Sequence, residues 1–472
     1  MATRPAAAAG VIGGVGVVAG ILAALTPDIG FIGVGIVLGA PLALLVATMV
    51  RIPVLVLALV VSCQLTGGRF PLLGYHFLPE HVVLLLLGPA LLLRSTGWLL
   101  RRMAAYEALL LAWVGWNAVV SLVYAVDTGA SMAIVAWMFL AWLILWCLRS
   151  CFLADAEARD RAVRLGASIA ASLGVFAFVL WVLAQLTDIR VAVQPDYVTG
   201  SVAAKGLASE ANFLGSQLMF WLFLVVRARV LKRSAIPVWQ VCGLVLGIAA
   251  SLTRAVWLAA ALMIVGAAVA SAFSARRSAT GPPSGARRPS ALRGALAGLG
   301  IVALLLSIGS PAAQKLRVSL DFGSVTGRAR VDTWKTAWND IREEGSLVTG
   351  LGTNSFGQRH ASPTLAGEPD YLGNLPLATL YDSGMIGAAL LTAAFVALVL
   401  RSSTVPGRIF NLLFVALLMV VGAATSPVWF GFVWAVVAIF DSEPQAPRSP
   451  EVDPAVEPTG SADPSQKVEV PA

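Results

Sequence analysis

Apolar runs of the length that crosses a hydrocarbon core as a helix, about 17–25 residues, recur along almost the whole chain. Lipid offers no partner to a backbone N–H or C=O, so a chain of this kind has to satisfy them inside helices. The sequence is 58% hydrophobic and 12% charged, whereas a soluble domain carries about 25% charged residues. The expected fold is therefore all-α: a polytopic transmembrane bundle of about 12–14 spans. Fourteen read out near 8–26, 29–50, 52–66, 77–94, 105–125, 130–153, 163–186, 211–227, 236–252, 254–274, 292–309, 375–400, 408–423 and 427–440. The last two are short, and a single long tilted helix is the alternative. The first run reads as a retained helix, because no small-residue cleavage site follows it.

Orientation follows from lysine and arginine. With the N-terminus in the cytoplasm, cytoplasmic segments collect Arg94, Arg101, Arg102, Arg149, Arg159, Arg161, Arg164, Arg227, Arg229, Lys232, Arg233, Arg276, Arg277, Arg287, Arg288 and Arg293. The short outside segments hold only Arg69, Arg190, Lys205 and Arg254. The positive-inside rule then puts both termini in the cytoplasm and the large loop 310–373 outside, with a smaller outer loop at 187–210. The expected location is the cell membrane, with membrane lipid as a partner. The formal charge of +8 needs no nucleic acid, because the excess lies in cytoplasmic loops. Residues 1–440 make one membrane domain. Residues 441–472 hold seven acids, two bases and many prolines, a composition that predicts a disordered cytoplasmic tail.

No His-Glu-x-x-His pattern or paired-acid cluster marks a metal site, and no cofactor is expected. Cys147 and Cys151 share a helix face, but the spacing is not that of a zinc or redox pair. No internal repeat is evident, which counts against many transporter folds. The main polar residues within spans are Glu107 and Asn117.

Four segments meet on the predicted outer face. Leu207–Gly215 carries Glu210 and Asn212. Ser251–Trp257 places Arg254 on a tight turn between two apolar helices, where an ionisable residue is a functional candidate by default. The third segment carries Arg328, Arg330, Asp332 and Trp334. There, apolar residues at 331, 334, 338 and 341 predict a helix with one greasy face lying at the interface. The fourth begins Gly350-Leu-Gly-Thr-Asn-Ser-Phe-Gly357, whose glycines make turns or cradle a phosphate with backbone N–H groups, and runs on through Asn374 to Asp382-Ser-Gly-Met-Ile-Gly387. Arginine grips phosphate oxygens with a two-pronged geometry, so arginines at this boundary suggest an anionic, lipid-linked ligand. A proton-accepting base would be histidine or a carboxylate: His360, Asp370, Asp382 and Glu210 are the candidates.

These ordered segments resemble the O-antigen ligase and polymerase superfamily of bacterial envelope glycosyltransferases, over roughly residues 200–390. The resemblance implies a GT-C-type membrane enzyme that takes a glycan from a polyprenyl diphosphate and passes it to a glycan or lipid acceptor, without nucleotide sugar or metal. By position, Arg254 and Arg330, with Arg328 nearby, match the family's diphosphate-binding arginines. Glu210, Asn212, Asp332, Trp334 and Asn374 take supporting places. The family puts His-Asn before the following span, where this chain has Gly373-Asn374. The catalytic candidates are therefore His360, Asp382 and Asp370. A non-catalytic member of the same fold and a glycolipid flippase are the alternatives.

Overall fold

The computed structural model describes residues 51–68, 70–72, 75–94, 103–196, 199–231, 237–278, 315, 325–360, 372–423 and 425–443. The expected spans at 8–26, 29–50 and 292–309, the tail beyond residue 443 and Asp370 lie outside them.

The described elements run α1 (Ile52–Ser62), β1 (Phe70–Leu72), β2 (Tyr75–Phe77), α2 (Pro79–Arg94), α3 (Ala105–Tyr124), α4 (Thr128–Ala154), α5 (Ala156–Leu186), β3 (Val193–Asp196), β4 (Ser201–Ala204), α6 (Ala211–Val230) and α7 (Val238–Ala250). There follow α8 (Arg254–Ser278), α9 (Val325–Glu343), α10 (Ser355–Arg359), α11 (Leu375–Leu400), α12 (Val405–Gly422), a 3-10 turn at Pro427–Trp429 and α13 (Gly431–Asp441). Among the described residues, seven helices are long and apolar enough to cross a membrane. The protein is a multi-pass, all-α membrane protein, as the hydropathy predicts.

Helices α1, α7 and α13, with 11, 13 and 11 residues, are too short to cross alone, since 11 residues rise about 16 Å. The last pair of spans is not one helix. Residues 423–430 separate α12 from α13, and Trp434 Nε1 donates to Val428 O at 2.7 Å across the break. Two antiparallel hairpins, β1–β2 and β3–β4, join the bundle.

Helix α6 is buried on nearly all sides and sits at the centre, against α5, α7, α8, α12 and α13. Helices α5 and α7 approach most closely through small residues. A Cβ on Gly174 would lie 2.2 Å from Gly243 O, and one on Gly247 would lie 2.5 Å from Gly174 Cα. Between membrane helices, where lipid is as apolar as a side chain, such close approach supplies the packing energy.

The helix ends sort into two faces. On one, Arg149 at the end of α4 pairs with Glu107 of α3 (3.1 Å) and with Asp441 of α13. Arg401, which caps α11, reaches Asp441 at 2.7 Å, and Arg227 at the end of α6 reaches Glu443 at 2.9 Å. The opposite face carries the α3–α4 turn, the start of α11 and the described part of loop 310–373: Ser131 Oγ donates to Thr353 O (2.7 Å), and Asp127 N donates to Gln358 Oε1 (2.9 Å). We call this the loop side.

Candidate functional site

Helix α11 is broken near its loop-side end. Gly384 has φ 62° and ψ −167°, and the break frees backbone groups that a continuous helix would pair. The segment 346–354 supplies the partners. Leu351 N donates to Tyr381 O (2.8 Å) and Gly352 N to Asp382 O (3.0 Å). In return, Met385 N donates to Leu347 O (2.9 Å) and Ile386 N to Val348 O (3.3 Å). The fit is backbone to backbone: a Cβ on Gly384 would lie 2.3 Å from Val348 O, and one on Gly350 would lie 2.5 Å from Ser383 N. The two glycine motifs, thirty residues apart in the sequence, are thus halves of one joint. Leu351, Gly352, Thr353 and Asn354 all spend their N–H groups on protein acceptors. The glycines make turns, as one of the two sequence readings has it, and these amides form no phosphate cradle.

Above the joint, α9 and α10 build a small core of Trp334, Ala337, Ile341, Leu351, Phe356, Leu372, Ala378 and Tyr381. The greasy face of α9 therefore runs through Ala337 and Ile341, both fully buried, while Trp338 is exposed. At the end of α9, His360 Nε2 lies 2.7 Å from Asp340 Oδ2, and Tyr381 Oη donates to the same oxygen at 2.8 Å. Phe356 packs on His360, with ring centres 4.6 Å apart. An ionised carboxylate only accepts, so Nε2 donates to Asp340, which leaves Nδ1 as the acceptor when the half-exposed ring is neutral. Neither Asp340 nor Tyr381 was singled out in the sequence, since twenty and more residues separate them from His360.

Asp382 is buried beneath the joint, where its Oδ1 accepts from Asn354 N at 3.1 Å. It lines a cavity with Trp113, Asn117, Thr379, Ser426 and Trp429, with room for about one water molecule. Trp113 Nε1, also buried, has no hydrogen-bond partner among the described residues.

The basic residues gather at the other end of α9. Arg254 opens α8, half-buried, after a turn in which Leu252 takes φ 50°. Thr253 Oγ1 braces that turn, donating toward Ala211 O (3.4 Å) and Asn212 Oδ1 (3.3 Å). Arg330 lies exposed on α9. Lys315, which the sequence reading passed over, joins them: its ammonium is buried and meets Asp196 Oδ1 at 2.5 Å, while Thr199 holds Oδ2 at 2.5 Å. Burial pushes the Lys315 pKa down, the bond to Asp196 opposes that, and the charges of Arg254 and Arg330 add to the fall. Arg254 and Arg330, from segments far apart in sequence, thus both lie within electrostatic reach of Lys315. Asp196 ends β3, whose hairpin docks on α5 through Trp181 Nε1 donating to Val202 O at 2.8 Å.

The non-glycine residues with positive φ among those described are Ala192, Leu252 and Asn354. Ala192 lies four residues before Asp196 and Leu252 two before Arg254, and Asn354 donates its N–H to Asp382. Strain of this kind costs about 1–3 kcal/mol per residue and collects at functional sites.

The other sequence candidates are placed as follows. Arg328 and Asp332 are exposed on α9, with Asp332 3.6 Å from Lys335. Glu210 is exposed at the start of α6. Asn374 caps α11, its side chain accepting from Leu377 N at 3.1 Å. Glu107 and Asn117 are satisfied by structural partners: Arg149 and Ala104 N for Glu107, Trp113 O and Thr353 Oγ1 for Asn117. No protein-family model matches the chain, and no curated protein matches it.

Proposed function

We propose that this chain is a membrane glycosyltransferase of the O-antigen ligase and polymerase type. It takes a glycan from a polyprenyl diphosphate at the outer face of the cytoplasmic membrane and passes it to a glycan or lipid acceptor. The observation that carries the reading is that Arg254, at the loop-side end of the apolar helix α8, and Arg330, on α9 in the loop, both lie within electrostatic reach of the buried Lys315. A ligand that suits this place has a multiply charged anionic head at the interface and an apolar tail in the bilayer.

In the reaction, an acceptor hydroxyl attacks the sugar carbon bonded to the diphosphate. The carbon–oxygen bond to phosphate breaks, the hydroxyl proton passes to a base, and polyprenyl diphosphate leaves. Arg254 and Arg330 stabilise the charge that builds on the leaving oxygens, a role that preorganised cations perform best in a poorly solvated site. His360 supplies the base, with Asp340 and Tyr381 fixing its ring. Asp340 follows Arg330 by ten residues, about 15 Å along a helix; because the attacked sugar carbon is bonded directly to the diphosphate, the long Arg330 side chain has to reach along α9 toward His360 for the base to meet the attacking hydroxyl. Glu107 and Asn117 do not line a polar path through the bundle, so the transport reading gains no support.

The test is transfer by the purified protein in liposomes that contain a polyprenyl-diphosphate oligosaccharide and a glycan acceptor. His360→Asn is expected to lower kcat by about a hundredfold or more, with donor affinity unchanged. A His360→Asn variant with the full rate would show that the base lies elsewhere. Donor binding without any transfer would favour the non-catalytic reading.

A further inference from the structure

We propose that Lys315 is a third phosphate ligand and that Asp196 is a resident counter-ion, which an incoming diphosphate displaces from it. The inference rests on the diphosphate reading of the Arg254 and Arg330 site.

A buried ammonium must have an anionic partner, because an isolated charge out of water is expensive. Asp196 is that partner, at 2.5 Å. Its other oxygen accepts from Thr199 Oγ1, so both carboxylate oxygens are engaged. The carboxylate therefore occupies the anion position on an ammonium whose charge also feels Arg254 and Arg330. A diphosphate carries more charge and more acceptor oxygens than one carboxylate, and charge-assisted hydrogen bonds to phosphate are among the strongest available. Lysine suits an exchange of this kind better than arginine: its compact ammonium turns three donors freely from one acceptor to another. The exchange also needs a carboxylate able to withdraw. Asp196 is the last residue of β3, and its hairpin is entered through Ala192 at φ 57°.

The two roles open to Asp196 predict opposite signs. A merely structural ion pair positions Lys315, and losing it weakens anion binding. A resident counter-ion competes with the ligand, and losing it strengthens binding.

The experiment titrates inorganic pyrophosphate into the full-length protein in detergent by calorimetry. Asp196→Asn is expected to bind about tenfold more tightly than the natural protein, and Lys315→Gln about tenfold less tightly. In the double variant the gain from Asp196→Asn should vanish, since the competition acts through Lys315. Asp196→Ser, which keeps a hydroxyl for Thr199, serves as a second variant if Asn disturbs the hairpin. Weaker or unchanged binding in folded Asp196 variants overturns the proposal. So does a gain that persists in the Lys315→Gln background, which would be a general field effect. Arg254→Gln/Arg330→Gln separates the two levels. If that variant loses pyrophosphate while the Asp196 variants gain nothing, the site stands and the exchange falls. If neither the natural protein nor Asp196→Asn binds pyrophosphate, both fall.

Discussion

Replacing Arg149 with Met is expected to destabilise the protein by about 3–5 kcal/mol, because it strips a buried ion cluster of its central cation. Arg149 is 2% exposed and holds Glu107 and Asp441, which are 0% and 7% exposed. Tyr106 Oη also donates to Asp441, at 2.9 Å, and Arg401 reaches it from the rim. The cluster ties together α3, α4, α11 and α13. Without Arg149, Glu107 still accepts from Ala104 N at 2.7 Å, but two carboxylates crowd a poorly solvated space. Thermal unfolding in detergent measures the loss. Arg164→Met is the control: Arg164 is exposed on α5, and a surface change of this kind stays within about 0.5 kcal/mol. Converting Glu107 to Gln alongside Arg149→Met should recover part of the loss, since Glu107 is then neutral and Asp441 keeps Arg401 as its partner. A single Arg149→Met variant as stable as the control would mean that the cluster is held by other groups.

Gly384→Ala should undock the segment 346–354 from α11. The pair φ 62°, ψ −167° falls in a region essentially reserved for glycine, and a side chain there costs about 1–3 kcal/mol in strain alone. The clash is with backbone: Val348 O at 2.3 Å and Gly350 N at 2.6 Å from the new Cβ. No rotamer change relieves that. Either α11 straightens and withdraws its carbonyls from Leu351 and Gly352, or the loop moves away. In both cases Leu351 and Phe356 lose their burial, and His360 loses the wall against which it is oriented. Limited proteolysis and amide exchange over residues 345–360 report the change. Gly115→Ala is the matched control, because nothing lies within 4 Å of a Cβ there. Unchanged protection over 345–360 in Gly384→Ala would show that the joint tolerates a side chain.

The bundle was legible because hydropathy is a property of runs, and a run of apolar residues signals a helix wherever it packs. What a run does not disclose is a break inside it. The span at 375–400 shows only Asp382-Ser-Gly-Met-Ile-Gly, with nothing to say that Gly384 takes positive φ or that Gly350 closes on it. The loop helix was readable from its periodicity, but Ala337, small and fully buried beside Trp334 and Ile341, gave no sign in the sequence that it packs there. The β3–β4 hairpin carried a signal that went unread, in Pro195, Asp196 and Gly200 between short apolar stretches. Lys315 carried none. A lone lysine in a polar loop looks solvated, and Asp196, 119 residues earlier, is brought to it only by the fold. Arg254 was readable for the opposite reason, since a charge on a short turn between apolar helices stands out. His360 was named as a candidate, yet its ring is oriented by Asp340 and Tyr381, which only the turn after α10 and the start of α11 bring within reach.

The central claim is that Arg254 and Arg330 hold the diphosphate of a lipid-linked glycan donor. Both lie on the loop side, one half-buried and one exposed, so changing them should spare the fold. The most direct measurement is release of polyprenyl diphosphate from a labelled polyprenyl-diphosphate oligosaccharide, by the natural protein and by Arg254→Gln/Arg330→Gln in the same liposomes with a glycan acceptor. The natural protein is expected to release it in step with glycan transfer, and the double variant to be slower by about a thousandfold or more. Release and transfer by the double variant at the natural rate would contradict the account.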